Sequence, residues 1–479
     1  TGTTTFSYDA LNRVTMETLP ASGTACSGQS GITFTYDRAD NLTSYCDAGG
    51  LITYTDDPAN NLTGLAEPGG TCPGQGTGCT TFSYDADGRR TQSVFPWGAT
   101  LTISYDNAGN VTRAVGKNSS GVVLTSFSYT YNLGSNDTTL RQTMTEADPQ
   151  GHATTTYSYD SFDRLTQAAS SPGSTLNYSY DADGNRCSTT TSCNSSYSYN
   201  VADELTASPG VSSYSYDGNG NEVGNGAGAS FSYNAKNQTT AITDNSTTLS
   251  PLTYADLGQT QRTQAGGTSQ ADGPNGVQIT TVGTSRTYYT RDNEGNLIGE
   301  RLPNGSDWYY LTDGMGSVVG VTSSAGNDAG DRYHYDPFGN MTLDTGTVPN
   351  PWGFAGGYLD TTGLYHFGDR YYDPSVGRWT QQDPVAGSIT NPSTLNLYAY
   401  VSGDPVNQKD AGGTCNGWGI LGGIDLLLEA GGAILLGATV AIIGAPTIVA
   451  IPLGVIIAIA GGGALGWASY IEFANSGCF

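Results

Sequence analysis

The sequence predicts a mainly β protein, a repetitive ribbon of β-hairpins that ends in an apolar α-helical hairpin. Three observations carry this expectation. The 479 residues include 67 Gly and 31 Tyr, and only 13% are charged, which favours many short strands and turns. A Tyr-Asp pattern returns along the first half of the chain. From Ala430 to Tyr470 there is no charge of either sign, a run long enough for two bilayer-spanning helices.

From Phe6 to about Thr240 the repeat unit reads aromatic, small polar, Tyr, Asp or Asn, two or three turn formers, an apolar residue and often Thr. Phe6-Ser-Tyr-Asp-Ala-Leu-Asn-Arg-Val-Thr15 and Phe82-Ser-Tyr-Asp-Ala-Asp-Gly-Arg-Arg-Thr91 are two copies, and others start at Tyr157, Tyr178, Tyr197, Tyr214 and Phe231. Aromatics two apart share one strand face. The Asp starts a turn through its side-chain acceptor, and Gly or Asn takes the left-handed position. Spacings such as Tyr84 to Tyr105 and Tyr159 to Tyr180 are close to 20 residues, about two strands with two turns. Stacked hairpins make a continuous winding sheet whose isolated copies do not fold and whose ends need capping. Between Ala241 and Thr287 the pattern thins, which predicts longer strands and loops of the same sheet. Tyr289 to Ile298 restores it.

The net charge of −25 arises from 43 acidic and 18 basic residues. Because the acids are scattered at turn positions, this argues for solubility and against a nucleic-acid partner. Eight cysteines form near-neighbour sets: Cys26 and Cys46, Cys72 and Cys79, Cys187 and Cys193, Cys415 and Cys478. Local pairs suit disulfides in an oxidising compartment, although sequence cannot choose the pairing and free thiols remain the other reading. His152, His334 and His366 make no ligand spacing with a Cys pair, so neither metal nor cofactor is expected. The chain opens at Thr1, near the start of a repeat unit, which predicts a truncated or processed product.

Gly363 to Pro384 is different. Five aromatics (Tyr365, Phe367, Tyr371, Tyr372, Trp379) alternate there with two Arg and three Asp. Spacing alone leaves two readings open: a hairpin with surface charges, or an aromatic face packed beside an ordered polar cluster.

The Tyr-Asp repeats, followed by Tyr309 to Val319, Tyr333-His-Tyr-Asp-Pro-Phe-Gly339, Trp352-Gly-Phe-Ala-Gly-Gly357, the Gly363 to Pro384 stretch and Asn396-Leu-Tyr-Ala-Tyr-Val401, together resemble the RHS or YD-repeat proteins with their RHS-associated core. The resemblance covers roughly Thr1 to Gly413. It implies a hollow β-shell in which the ribbon spirals round a cavity, with residues 1–300 as shell wall, 301–414 as the core closing it, and 415–479 as a variable toxin-like tail. It also implies aspartyl-type self-cleavage, in which one carboxylate activates water and another, kept neutral, protonates the departing amide. Arg370, Asp383 and Asp410 match the family positions for this chemistry. By spacing alone Asp373 and Asp383 only start turns before proline, and Arg370 pairs with Asp369 or Asp373. The cut is expected between Thr414 and Cys415. Pro405 to Thr414 keeps the family spacing, but Ala411 replaces a Pro and Thr414 a Leu, departures that predict slowed or absent cleavage.

In the tail, small residues recur every fourth place (Ala433, Gly437, Ala441, Ala445; Gly454, Ala458, Gly462, Gly466), with Pro446 and Pro452 between them. Such stripes let two helices approach closely in a membrane. The tail holds no Lys, Arg or His, which argues against an enzyme toxin. Two functions from different classes follow. One is a secreted bacterial toxin whose shell sequesters a membrane-active tail; its partners are a target-cell membrane, an immunity protein and a secretion-system component. The other is a cell-surface adhesion protein whose repeats bind glycans, with the tail as membrane anchor or shell plug.

Overall fold

The computed structural model describes residues 5–414, apart from 19–27, 29–30, 73–77, 134–135, 150, 194–195, 245, 256–260, 274, 324–327 and 390–391. The apolar tail, and with it the expected helical hairpin, lies outside the described residues, as do Cys26, Cys415 and Cys478.

Each repeat closes on the same local chemistry. At Asp57, one carboxylate oxygen accepts the N–H groups of Ala59 and Asn61, and the other accepts the Asn61 side-chain amide at 3.0 Å. Asn60 carries the positive φ the turn requires, at 64°. Asp85 repeats the arrangement with the Arg89 guanidinium as the clip and Gly88 in the left-handed position. The side chain four residues on thus locks the carboxylate that starts the turn, and at Asp57 these bonds hold the carboxyl below its ordinary pKa. The strand register shifts just before the turn residue, for instance between Ser83 and Tyr84.

A second bond joins many of the hairpins to their predecessors. The hydroxyls of Tyr84, Tyr105, Tyr131, Tyr180, Tyr199, Tyr233, Tyr254 and Tyr335 donate to the carbonyls of Leu62, Arg90, Val111, Leu165, Arg186, Glu222, Thr239 and Val318, at 2.6–3.0 Å. Every acceptor is the first residue after the preceding turn. The repeated Tyr is therefore a staple between neighbouring units as well as a core side chain.

Antiparallel pairing of successive strands builds a 15-stranded sheet from Thr5 to Asn177, a five-stranded sheet from Tyr214 to Leu249, a ten-stranded sheet from Leu252 to Asp344 and a four-stranded sheet from Tyr358 to Trp379. Two departures from expectation stand out. The ribbon is not one continuous sheet: between Ser179 and Ala207 it consists of separate two-stranded hairpins. Residues 241–287 also do not continue a single sheet, because the ladder breaks between Leu249 and Leu252, at Pro251, which has no N–H to donate.

Residues from Ala271 to Val406 form the hub. Ile32 to Leu124 pack with Ala271 to Leu311, Tyr157 to Tyr178 with Phe338 and Val406, Tyr197 and Leu205 with Val376, and Ala229 to Ala265 with Leu364 and Tyr371. Disulfides link Cys72 to Cys79 and Cys187 to Cys193, two of the near-neighbour sets read from the sequence, and Cys46 is also disulfide-bonded. Among the described residues no helix is long and apolar enough to cross a membrane.

Two outcomes are expected. Tyr105→Phe removes one staple and leaves the Arg90 carbonyl without it, costing about 0.5–1.5 kcal/mol in equilibrium urea unfolding. Burial pushes Glu222 and Glu300 up to about 8 and Asp404 to about 7, against about 4 in the unfolded chain. Raised folded-state values give a contribution to stability that is full below about pH 4 and is lost as pH rises toward 8. The urea midpoint should fall over that window, and Glu300→Gln should flatten the fall.

Candidate active site

The Gly363 to Pro384 stretch folds as three strands, Tyr365–Phe367, Arg370–Asp373 and Arg378–Trp379, joined on one side by Tyr358–Leu359. Its aromatic face is dense: Phe354, Phe367, Tyr372, Trp379 and Tyr400 form one buried cluster with ring centroids 4.5–6.4 Å apart. Of the two readings left open by spacing, the structure has the aromatic face beside an ordered polar cluster.

Arg370, Asp383 and Asp410 meet in that cluster, all at most 5% exposed. Arg370 Nη2 lies 2.7 Å from Asp383 Oδ2 and 3.2 Å from Asp410 Oδ2. The guanidinium stacks over the Trp379 ring at 4.1 Å. Its Nε donates to the Gly413 carbonyl, and Asp410 Oδ1 accepts the Thr414 N–H at 3.0 Å. The peptide between Gly413 and Thr414 is thus gripped at both ends, its C=O by Arg370 and its N–H by Asp410. This grip falls one bond before the Thr414–Cys415 junction expected from spacing, and Cys415 lies outside the described residues. Asp373 has the turn role also read for it, accepting the Ser375 N–H. Asp383 likewise accepts the N–H two residues on, from Val385, in addition to its contact with Arg370.

Two glycines let the backbones approach. Gly368 and Gly413 both have positive φ, and a Cβ on either would collide with a carbonyl of the other segment, Gly412 for the first and Phe367 for the second. Asp369 N–H donates to the Gly412 carbonyl at 3.3 Å. Residues 412–413 are therefore laid against the Phe367–Arg370 turn by backbone contact. Thr414 lines a cavity of about 1620 Å³, whose wall also includes Arg90, Glu294, His366 and Lys409.

A neighbouring cluster escaped the sequence reading. Arg262 pairs with Asp360 Oδ2 at 2.5 Å and donates to the Tyr371 hydroxyl, which itself donates to Asp360 at 2.8 Å. Burial disfavours the charge on Arg262, yet Asp360 lifts its pKa above the ordinary value. Burial and then Arg262 hold His366 well below its ordinary pKa, so it is neutral. Arg262 belongs to the thinned 241–287 segment, where no motif marks it.

Hairpins stapled through Tyr-Asp turns, wrapped on a C-terminal hub that ends at a cavity, define a YD-repeat shell protein of the RHS type. The teneurin YD-shell model matches residues 125–406, and the chain belongs to that family. It is 33% identical over 129 residues to the tRNA3(Ser)-specific nuclease WapA of Bacillus spizizenii, covering 26% of this chain and 5% of that protein. It is 35% identical over 129 residues to teneurin-1 of Gallus gallus, covering 25% and 4%. The chain thus matches about 5% of the length of these relatives. The crystal structure of TcdB2-TccC3 superposes with a TM-score of 0.65 at 18% identity, over 85% of this chain and 24% of that one, a likeness of fold.

Removing the guanidinium leaves two buried carboxylates without their shared counter-charge. Arg370→Met should cost about 3–5 kcal/mol in urea unfolding, and an unchanged midpoint would mean the cluster adds no stability.

Proposed function

We propose that the chain is the shell and closing core of a secreted bacterial toxin-type protein, and that Arg370, Asp383 and Asp410 cut it after Thr414. The observation that carries this reading is the grip of Arg370 and Asp410 on the Gly413–Thr414 peptide at the cavity wall. Two buried carboxylates close enough to share one proton are what aspartyl-type hydrolysis uses. One takes a proton from water as its oxygen adds to the Thr414 carbonyl carbon. The other protonates the Cys415 nitrogen as the C–N bond breaks. Arg370 and Asp410 act as the clamp that fixes the residue before the cut. Trp379 holds the guanidinium in plane from one face.

On this reading residues 415–479 are a membrane-active cargo. Enclosure is physically motivated, because an apolar run of that length left in water aggregates or enters the producing cell's own membrane. The similarity to WapA, named as a tRNA nuclease, adds support: YD-repeat sequence occurs there in one chain with an effector activity. The target-cell membrane, an immunity protein and a secretion-system component are the partners this function requires.

Intact-mass measurement on the purified chain tests the cut. Fragments 1–414 and 415–479 are expected, and Asp383→Asn should abolish them. A single uncut species in both proteins defeats self-cleavage, while fragments 1–413 and 414–479 would make the gripped peptide itself the scissile one. Dye release from liposomes by residues 415–479 is the matching test of the cargo; no release across lipid compositions and pH would leave the tail as a plug.

A further inference from the structure

Sequence spacing offered no metal site, since none of the three histidines stands near a cysteine pair. The fold makes a ligand set of another kind. Glu146 and Asp148 lie two apart on the strand Thr143–Asp148, hence on one face, together with Met144. Met144 packs in a cluster with Val319 and Tyr335, so this face meets the strand Asp328–Tyr335. His334 on that strand brings its imidazole to the two carboxylates. His334 Nε2 is 3.0 Å from Asp148 Oδ2 and 3.1 Å from Glu146 Oε1, and one donor atom from each of the three residues lies within 4.8 Å of the others.

We propose that Glu146, Asp148 and His334 bind a divalent transition-metal ion, with Zn²⁺ as the representative case. A ring nitrogen carries at most one hydrogen, so it cannot donate a well-aligned bond to both carboxylates. A metal ion in place of that hydrogen faces all three ligands at once. Zinc held by nitrogen and carboxylate oxygen at about 2.0–2.2 Å in a tetrahedron puts ligand atoms about 3.3 Å apart. The two separations from His334 lie within a few tenths of an ångström of that, and the two carboxylate oxygens lie within 4.8 Å of each other. One imidazole with two carboxylates selects a borderline ion such as Zn²⁺ or Co²⁺ over Ca²⁺, which takes oxygen ligands alone. Water completes the coordination. The ligands come from two sheets, one in the N-terminal repeats and one leading into the core, and 186 residues separate His334 from Asp148. The ion is thus a removable clasp between shell wall and hub, independent of any cut at Thr414.

The test uses the full chain, stripped with a chelator and dialysed against Zn²⁺. One equivalent should be retained, the Tm should rise with Zn²⁺, and Co²⁺ should give the visible absorption of a low-symmetry site. Asp148→Asn keeps the side chain's shape, and both it and His334→Ala should weaken Zn²⁺ binding about tenfold or more and lose the Tm rise. His152→Ala is the control: His152 pairs with Ala147, on the opposite strand face, and is exposed, so binding should persist. Equal Zn²⁺ retention by wild type and Asp148→Asn, or no retention by wild type, overturns the proposal and leaves the three residues as an ion pair only.

Discussion

The structure depends on a hydrogen bond that no single repeat can make alone: a tyrosine hydroxyl reaching back to the first carbonyl after the previous turn. Tyr84 makes it to Leu62, Tyr105 to Arg90, and the pattern holds as far as Tyr335 and Val318. Each bond is modest. Their order along the chain is what matters, because each fixes a hairpin to its predecessor where the ribbon would otherwise be free to splay. The Asp-initiated turn supports this by presenting the acceptor carbonyl in the same place every time.

Much of the wall was legible in the sequence because its determinants are local. The Asp acceptor, the left-handed residue three positions on and the paired aromatics all fall within ten residues, and the structure has them as read. The clip four residues after the Asp, played by Asn61 or Arg89, was equally local and went unread. What spacing does not encode is where the ladder stops. The separate hairpins from Ser179 to Ala207 pack against Val376, more than a hundred positions away, whereas the break at Pro251 is local, at a residue with no N–H to donate.

The candidate site divides in the same way. Arg370, Asp383 and Asp410 became candidates only through the ordered set of family motifs, since each has an ordinary turn or ion-pair reading by spacing. Their convergence depends on Gly368 and Gly413, whose missing Cβ atoms let two backbones touch, and on the Trp379 face beneath the guanidinium. The alternation of Arg and aromatics in Gly363 to Pro384 hinted at that face. Nothing in the sequence hinted at Arg262 with Asp360 and Tyr371, or at His334 with Glu146 and Asp148, because those residues meet only after the ribbon has wrapped.

The one-directional staples have a mechanical consequence. The staples from Tyr84, Tyr105 and Tyr131 each run from a hairpin to the one before it, so a force applied at the end of that stretch of the 15-stranded sheet loads the outermost staple first. Thread such a wall through a narrow pore and it yields stepwise, like a zipper, releasing about 20 residues or roughly 70 Å of chain per event. The same wall resists a load spread over its face, where many rungs share the strain.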